Sequence, residues 1–213
     1  VEQENRSMIV NMLYLRKSLE RARERCRKLE EDAVELTEKS ERDPLTGLAN
    51  RYRLTNDSEK IVEQCFAEHK PLSFEILDID YFKQYNDRYG HQAGDDCVRA
   101  IAALIRQMES DQIFCARYGG DEFVIIYSGM SAEEVCERAE KLRQDVMALQ
   151  IEQRYTEGAF GVTISQGICH DIPSNGNKNW DFLHVADQTL YRVKRRRRNR
   201  LCMTDIHGRE IEV

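Results

Sequence analysis

The sequence predicts an α+β domain, a mostly antiparallel central sheet flanked by helices, preceded by a long coiled-coil helix. Three observations predict it. Apolar residues recur in unbroken steps of four and three from Met8 to Leu36, which is the seam of a two-stranded coil. Beyond Pro44, helical stripes alternate with short β-rich runs, and two of those runs flank a Gly-Gly pair, so they join as a hairpin rather than through a crossover helix. The chain has 213 residues, 41% hydrophobic and 33% charged, with only 3 Pro and 11 Gly; that composition can bury one core of ordinary size and excludes a disordered chain.

In the N-terminal stretch, Met12, Leu19, Cys26 and Ala33 occupy a positions, and Met8, Leu15, Ala22, Leu29 and Leu36 occupy d, with Arg, Lys and Glu filling much of the rest. The expected form is a parallel homodimeric coiled coil over residues 1–42. Its small Ala and Cys seam residues make a weak pairing, suited to a helix that signals by shifting register or splay. The helical pattern ends at Asp43-Pro44, because Pro lacks a donor and disfavours helix in the residue before it. A second domain is expected over 43–213.

Within that domain the apolar pattern predicts a helix over 48–68, a strand over 72–78, a short helix over 81–88 and a helix over 94–108 carrying Val98, Ile101, Ile105 and Met108 on one face. Strands follow at 112–118 and 121–127, with Gly119 and Gly120 both expected at positive φ in the turn. Ser131 and Glu134 form a capping box for a helix with Val135, Ala139, Leu142, Val146 and Leu149 inward. A strand at 162–169, a helix at 180–194 with Phe182, Ala186, Leu190 and Val193 inward, and a hairpin around His207-Gly208 complete the chain.

The net charge of −6 argues against general nucleic-acid binding. No stretch approaches the roughly 20 apolar residues of a membrane span, so no membrane contact is expected of this fragment. The seven cysteines at 26, 65, 97, 115, 136, 169 and 202 include no C-x-x-C pair, which excludes the common zinc and redox motifs and points to a reducing cytoplasm. The chain opens on Val within a helical pattern, so an upstream sensor module or membrane anchor is expected in the full-length protein.

The chemistry concentrates in acidic residues at strand ends. Asp78 and Asp80 close one predicted strand, and Asp121-Glu122 open the strand after the Gly-Gly turn. If these strands are neighbours the carboxylates converge, offering hard oxygen ligands beside a loop that phosphates can approach, as Mg²⁺ with a nucleotide requires.

Five ordered blocks carry a resemblance: Asp43-Pro44-Leu45-Thr46-Gly47-Leu48-Ala49-Asn50-Arg51, the stretch Asp78 to Lys83, the run Asn86 to Asp95, Arg117-Tyr118-Gly119-Gly120-Asp121-Glu122-Phe123, and Ala186-Asp187 through Tyr191, Lys194, Arg198 and Asn199. Together they resemble the GGDEF family of diguanylate cyclases, whose domain has a nucleotidyl-cyclase-like palm fold and joins two GTP into cyclic di-GMP. The resemblance implies that Asp78, the backbone carbonyl of Ile79 and Asp121 hold two Mg²⁺ ions, or Mn²⁺ in their place. It also implies that Asp121 is the candidate base and that Lys83 offsets phosphate charge. Asn86 and Asp95 would read guanine, with Phe82 and His91 lining the same pocket, and Asp95 favours GTP over ATP. Lys194 and Arg198, four apart and expected on one helical face, would meet the β and γ phosphates.

One GTP per protomer makes the enzyme a homodimer. Ser110 and Ile113 stand where relatives carry an Arg-x-x-Asp motif, so no allosteric product site is expected. The alternative function is a catalytically silent domain that binds GTP or cyclic di-GMP as a regulator.

Overall fold

The computed structural model describes residues 16, 17, 19–21, 23–25, 27, 28, 41–152 and 161–212. The described residues between 16 and 28 are helical, and Leu19 is 52% exposed. Surface ion pairs join Arg16 to Glu20 at 3.4 Å and Arg27 to Glu24 at 2.7 Å, each contributing little because both partners are solvated. Every other position of the expected heptad seam, from Met8 to Leu36, lies outside the described residues. The chain divides into two compact units between Glu41 and Arg42. No helix among the described residues is long and apolar enough to cross a membrane.

The second unit runs α1 (Arg51–Glu68), β1 (Leu72–Ile79), α2 (Phe82–Tyr89), α3 (His91–Arg106), β2 (Ile113–Arg117), β3 (Glu122–Ser128), α4 (Ala132–Ala148), β4 (Ile164–Asp171), α5 (Asn179–Arg196) and β5 (Leu201–Thr204). The strands form one sheet in the order β2-β3-β1-β4-β5. All pairs are antiparallel except β4 with β5. β1 is central and all eight of its residues are buried. Its alternation divides two cores: Leu77 and Ile79 pack with Val98, Ile101, Val135 and Ala139 of α3 and α4, while Phe74 and Ile76 pack with Leu54, Val62, Phe182 and Leu190 of α1 and α5. Three layers, helix on sheet on helix, follow from that two-residue period.

Local signals set the element ends. Asn50 caps α1 by accepting from Arg53 N at 3.0 Å. At α4, Glu134 N donates to Ser131 Oγ and Ser131 N to Glu134 Oε2, the expected capping box. Helix α3 begins at His91, earlier than the pattern suggested, because Gly90 at φ 86° ends α2 and leads straight into α3. Gly167 lets α5 lie directly on β4, since a Cβ there would sit 2.7 Å from Leu190 Cα. The six described cysteines are free, four of them buried.

One expectation about a turn is corrected and another is met. Neither Gly119 nor Gly120 has positive φ. The strands are joined by the four residues 118–121, and the Arg117 guanidinium holds this loop by donating to Gly119 O at 3.1 Å and to Gly120 O at 2.8 Å. The expected closing hairpin is present as a tight turn over Asp205–Arg209, with Thr204 bridging Glu210 antiparallel and Ile211 N donating to Met203 O at 2.9 Å. The last strand lies parallel to β4, because α5 carries the chain back across the sheet before it.

Candidate active site

The sheet brings the acidic residues together at one end. Asp78 on β1 lies directly opposite Glu122, the first residue of β3, and Ile79 N donates to Asp121 O at 3.3 Å. Three acidic residues therefore stand where β1 ends and β3 begins, near enough for Asp121 and Glu122 to act on the Asp78 carboxyl. Asp78 is 9% exposed, and burial pushes its carboxyl up to about 6, with Asp121 and Glu122 adding to the rise and Lys194 opposing it. Burial also raises Glu122, and its neighbour Asp121 pushes the same way. Lys194 Nζ lies 2.7 Å from Asp78 Oδ2, so an internal cation sits on the carboxylate that the resemblance assigns to metal.

That electrostatic excess is what a divalent cation relieves, and the donors are the hard oxygens that Mg²⁺ selects. The residues fit the ion by their chemistry. Among the described residues, no three His, Cys, Asp or Glu side chains are gathered around a metal position, and Lys194 engages Asp78. The loop beside them leaves room for a ligand, since a Cβ at Gly120 would meet nothing within 4 Å.

A second group of predicted residues stands on α2 and α3. Phe82 and Lys83 open α2, Asn86 follows one turn later, His91 opens α3 and Asp95 lies in its second turn. Lys83 and His91 are exposed, whereas Phe82, Asn86 and Asp95 are half-buried. The two helices close on each other at Gly94, where a Cβ would overlap Asn86 Oδ1 and approach Phe82 Cζ to 3.3 Å. Asn86 Oδ1 is buried without a hydrogen-bond partner, as is Tyr89 Oη. A buried, unpaired amide oxygen is an acceptor waiting for a donor.

Two expectations about placement are corrected, for Asp80 and for the pair Lys194 and Arg198. Asp80 lies just past the end of β1 at Ile79, and its carboxylate is engaged by β4 and the loop after α5 rather than by the acidic cluster. Its oxygens accept from Thr163 Oγ1, Ser165 Oγ and Asn199 N. Lys194 and Arg198 do not share a helical face: α5 ends at Arg196, and Arg198 lies in the following loop, 3.8 Å from Asp80 Oδ1 and over the Tyr81 ring at 4.5 Å. Ser110 and Ile113 face each other in an isolated bridge, beside a cavity of about 500 Å³ lined in part by Arg53, Asp57 and Lys60.

Some participants escaped the sequence reading. Arg117 Nη1 donates to both Asp43 oxygens at 3.0 and 3.1 Å, which ties the 43–50 turn to the glycine loop. Asp43 also accepts from Thr46 N and Oγ1, a local turn that the Asp-x-x-Thr spacing already suggests. Arg51 stacks on the Tyr118 ring at 4.7 Å.

A family model described as "Diguanylate cyclase, GGDEF domain" matches residues 40–200. The chain belongs to the GGDEF family. Diguanylate cyclase DgcP of Pseudomonas aeruginosa is 35% identical over 186 residues, covering 84% of this chain and 27% of that protein. A diguanylate cyclase of Vibrio cholerae is 34% identical over 182 residues, covering 81% of this chain and 53% of that protein. The chain thus spans about a quarter to a half of these relatives. Among solved structures, the coiled coil and GGDEF domain of DgcB from Caulobacter crescentus, in complex with c-di-GMP, superposes with a TM-score of 0.80 at 30% identity, covering 89% of this chain and 99% of that one. The GGDEF signature here is Gly119 to Phe123, and Asp121 is its third residue.

Proposed function

We propose that this chain condenses two GTP into cyclic di-GMP and two pyrophosphates, as a homodimer with one GTP per protomer. The observation that carries this is the placement of Asp78, Asp121 and Glu122 together where β1 ends and β3 begins, beside the open loop at Gly120. In each half-reaction the ribose 3′-oxygen of one GTP bonds to the α-phosphorus of the other, the bond from that phosphorus to the bridging oxygen breaks, and pyrophosphate leaves. Asp121 takes the 3′-hydroxyl proton. Asp78, the Ile79 carbonyl and Asp121 would hold two Mg²⁺ ions, which when bound neutralise phosphate charge.

The other residues bind and orient. Asp95 accepts from N1–H and the 2-amino group of guanine, a donor pair that adenine lacks. Asn86 supplies its unpaired Oδ1 to the same base, and Phe82 and His91 line the pocket. Lys83, Lys194 and Arg198 meet the phosphates, and for Lys194 this means leaving Asp78 when the nucleotide enters. Residues 1–42 would pair as a coiled coil that sets whether two sites face each other across a two-fold axis, under an upstream sensor and in the cytoplasm. With Ser110 and Ile113 in place of Arg-x-x-Asp, feedback by the product at that position is absent.

The test is incubation with GTP and Mg²⁺ followed by chromatography. Release of cyclic di-GMP and pyrophosphate is expected, and GTP binding without turnover would instead favour a silent regulator. Removal of residues 1–40 should lower turnover per protomer at low protein concentration; unchanged turnover would sink the role given to the helix.

A further inference from the structure

Asp80 lies two residues beyond Asp78 and invites reading as another metal ligand, yet it is only 1% exposed and both its oxygens accept hydrogen bonds. Oδ1 accepts from Ser165 Oγ at 2.7 Å, and Oδ2 accepts from Thr163 Oγ1 at 2.7 Å and Asn199 N at 3.0 Å. Its own N–H donates to Thr163 O at 2.9 Å. A carboxylate with three short bonds and a guanidinium nearby has little left for an ion.

These contacts join the β1–α2 turn, the start of β4 and the loop after α5. Asn199 is the joint. Its φ of 58° lies in the left-handed region that Asn tolerates. Its N–H reaches Asp80, and its Oδ1 accepts from Arg143 Nη1 at 2.7 Å. Arg143 is held in turn by Glu140 at 2.6 and 2.8 Å. The neighbour of this fixed residue is Arg198, whose guanidinium lies between the Asp80 carboxylate and the Tyr81 ring. It is Nε that approaches Asp80, which leaves the two terminal nitrogens for an oxyanion.

We propose that Asp80 is a positioning residue: its buried carboxylate clamps the loop after α5 to the β1–α2 turn and so aims Arg198 at the triphosphate. The proposal rests on the reading that Arg198 meets the phosphates of GTP. A carboxylate with hydroxyl and amide donors around it holds this arrangement; an amide in its place presents a donor to one of them and withdraws the charge that orients the guanidinium.

The test is a double-mutant cycle in the full chain, read as the Kd of 3′-deoxy-GTP with Mg²⁺, which carries the triphosphate but no attacking hydroxyl. Asp80→Asn and Arg198→Ala should each weaken binding about tenfold, and the double variant no more than either alone. Binding of 3′-deoxy-GMP should be unchanged, as should the Mg²⁺ concentration at half-saturation. If the single losses multiply in the double variant, if 3′-deoxy-GMP weakens equally, or if the Mg²⁺ requirement rises, Asp80 does not act through Arg198 and the proposal is overturned, while the phosphate reading stands. If Arg198→Ala alone leaves 3′-deoxy-GTP binding intact, the phosphate reading falls and takes the proposal with it. Should Asp80→Asn not fold, Thr163→Val removes one donor from Asp80 and keeps its charge; a loss of about threefold that vanishes in the Arg198→Ala background is then expected.

Discussion

At the sheet end of the candidate site, Asp78 is buried against Lys194 at 2.7 Å and opposite Glu122. On α2 and α3, Lys83 and His91 are exposed, Asp95 is half-buried and Asn86 Oδ1 has no partner. The first region carries more negative charge than its setting tolerates and neutralises it internally. The second leaves hydrogen-bonding capacity unused. Charge chemistry needs groups desolvated before the ligand arrives, whereas base reading needs groups whose partner is the ligand itself. A rigid sheet suits the former, and two helices meeting at Gly90 suit the latter.

Variants on the two sides should therefore fail differently. Asp121→Ala should lower cyclic di-GMP formation by about 10³-fold with GTP binding retained, measured by product chromatography and calorimetry. Retained turnover would remove Asp121 from the chemistry. Asp78→Asn should lower activity by roughly 100-fold yet leave thermal stability equal or higher at pH 8, because it removes a charge that burial disfavours. A clear drop in Tm would mean that its pairing with Lys194 outweighs that penalty.

On the helical side, Asp95→Asn should reduce the preference for GTP over ATP by roughly 10–100-fold with little change in the rate of the chemical step, as competition kinetics would read. Gly94→Ala sets two effects against each other. Helix propensity favours Ala by about 1 kcal/mol, but its Cβ would displace Asn86, and overpacking costs about 1–3 kcal/mol. The variant should be less stable and have a raised KM for GTP; a stabilised variant with unchanged KM would show that Asn86 is free to move.

The smallest effect lies beneath both regions. Glu75 is wholly buried, and burial raises its carboxyl pKa despite hydrogen bonds from Tyr127 and Gln166. A carboxyl raised in the folded state binds its proton more tightly there than when unfolded, so its burial is unpenalised below the unfolded pKa and stability is lost as pH rises through the folded value. Glu75→Gln should thus gain on the parent protein between pH 5 and pH 8, by about 2–4 °C in Tm. Thermal melts at the two pH values check it, and a constant difference would contradict the assignment.

Much of the domain was legible because short-range rules produced it: the Ser131–Glu134 box as a cap, the apolar stripes of α3, α4 and α5, and β1 as a buried strand. The ordered blocks from Asp43 to Asn199 were legible because the chemistry restricts residue type. Asp80 was not. Its partners Thr163, Ser165 and Asn199 lie 83, 85 and 119 positions away, beyond the reach of any local pattern. Arg198 was named, but its placement beside Lys194 was misread: four-residue spacing implies a shared face only within a helix, and α5 ends at Arg196.

The sequence by itself determined the family signature, the element types and their caps, all of which depend on neighbours within a few residues. Only the tertiary structure decided that Glu122 faces Asp78, that Lys194 neutralises it, and that Asp80 serves the loop after α5 rather than the acidic cluster. Those outcomes depend on strand register and on where elements stop, which are set by burial and by hydrogen bonds between residues as many as 119 positions apart.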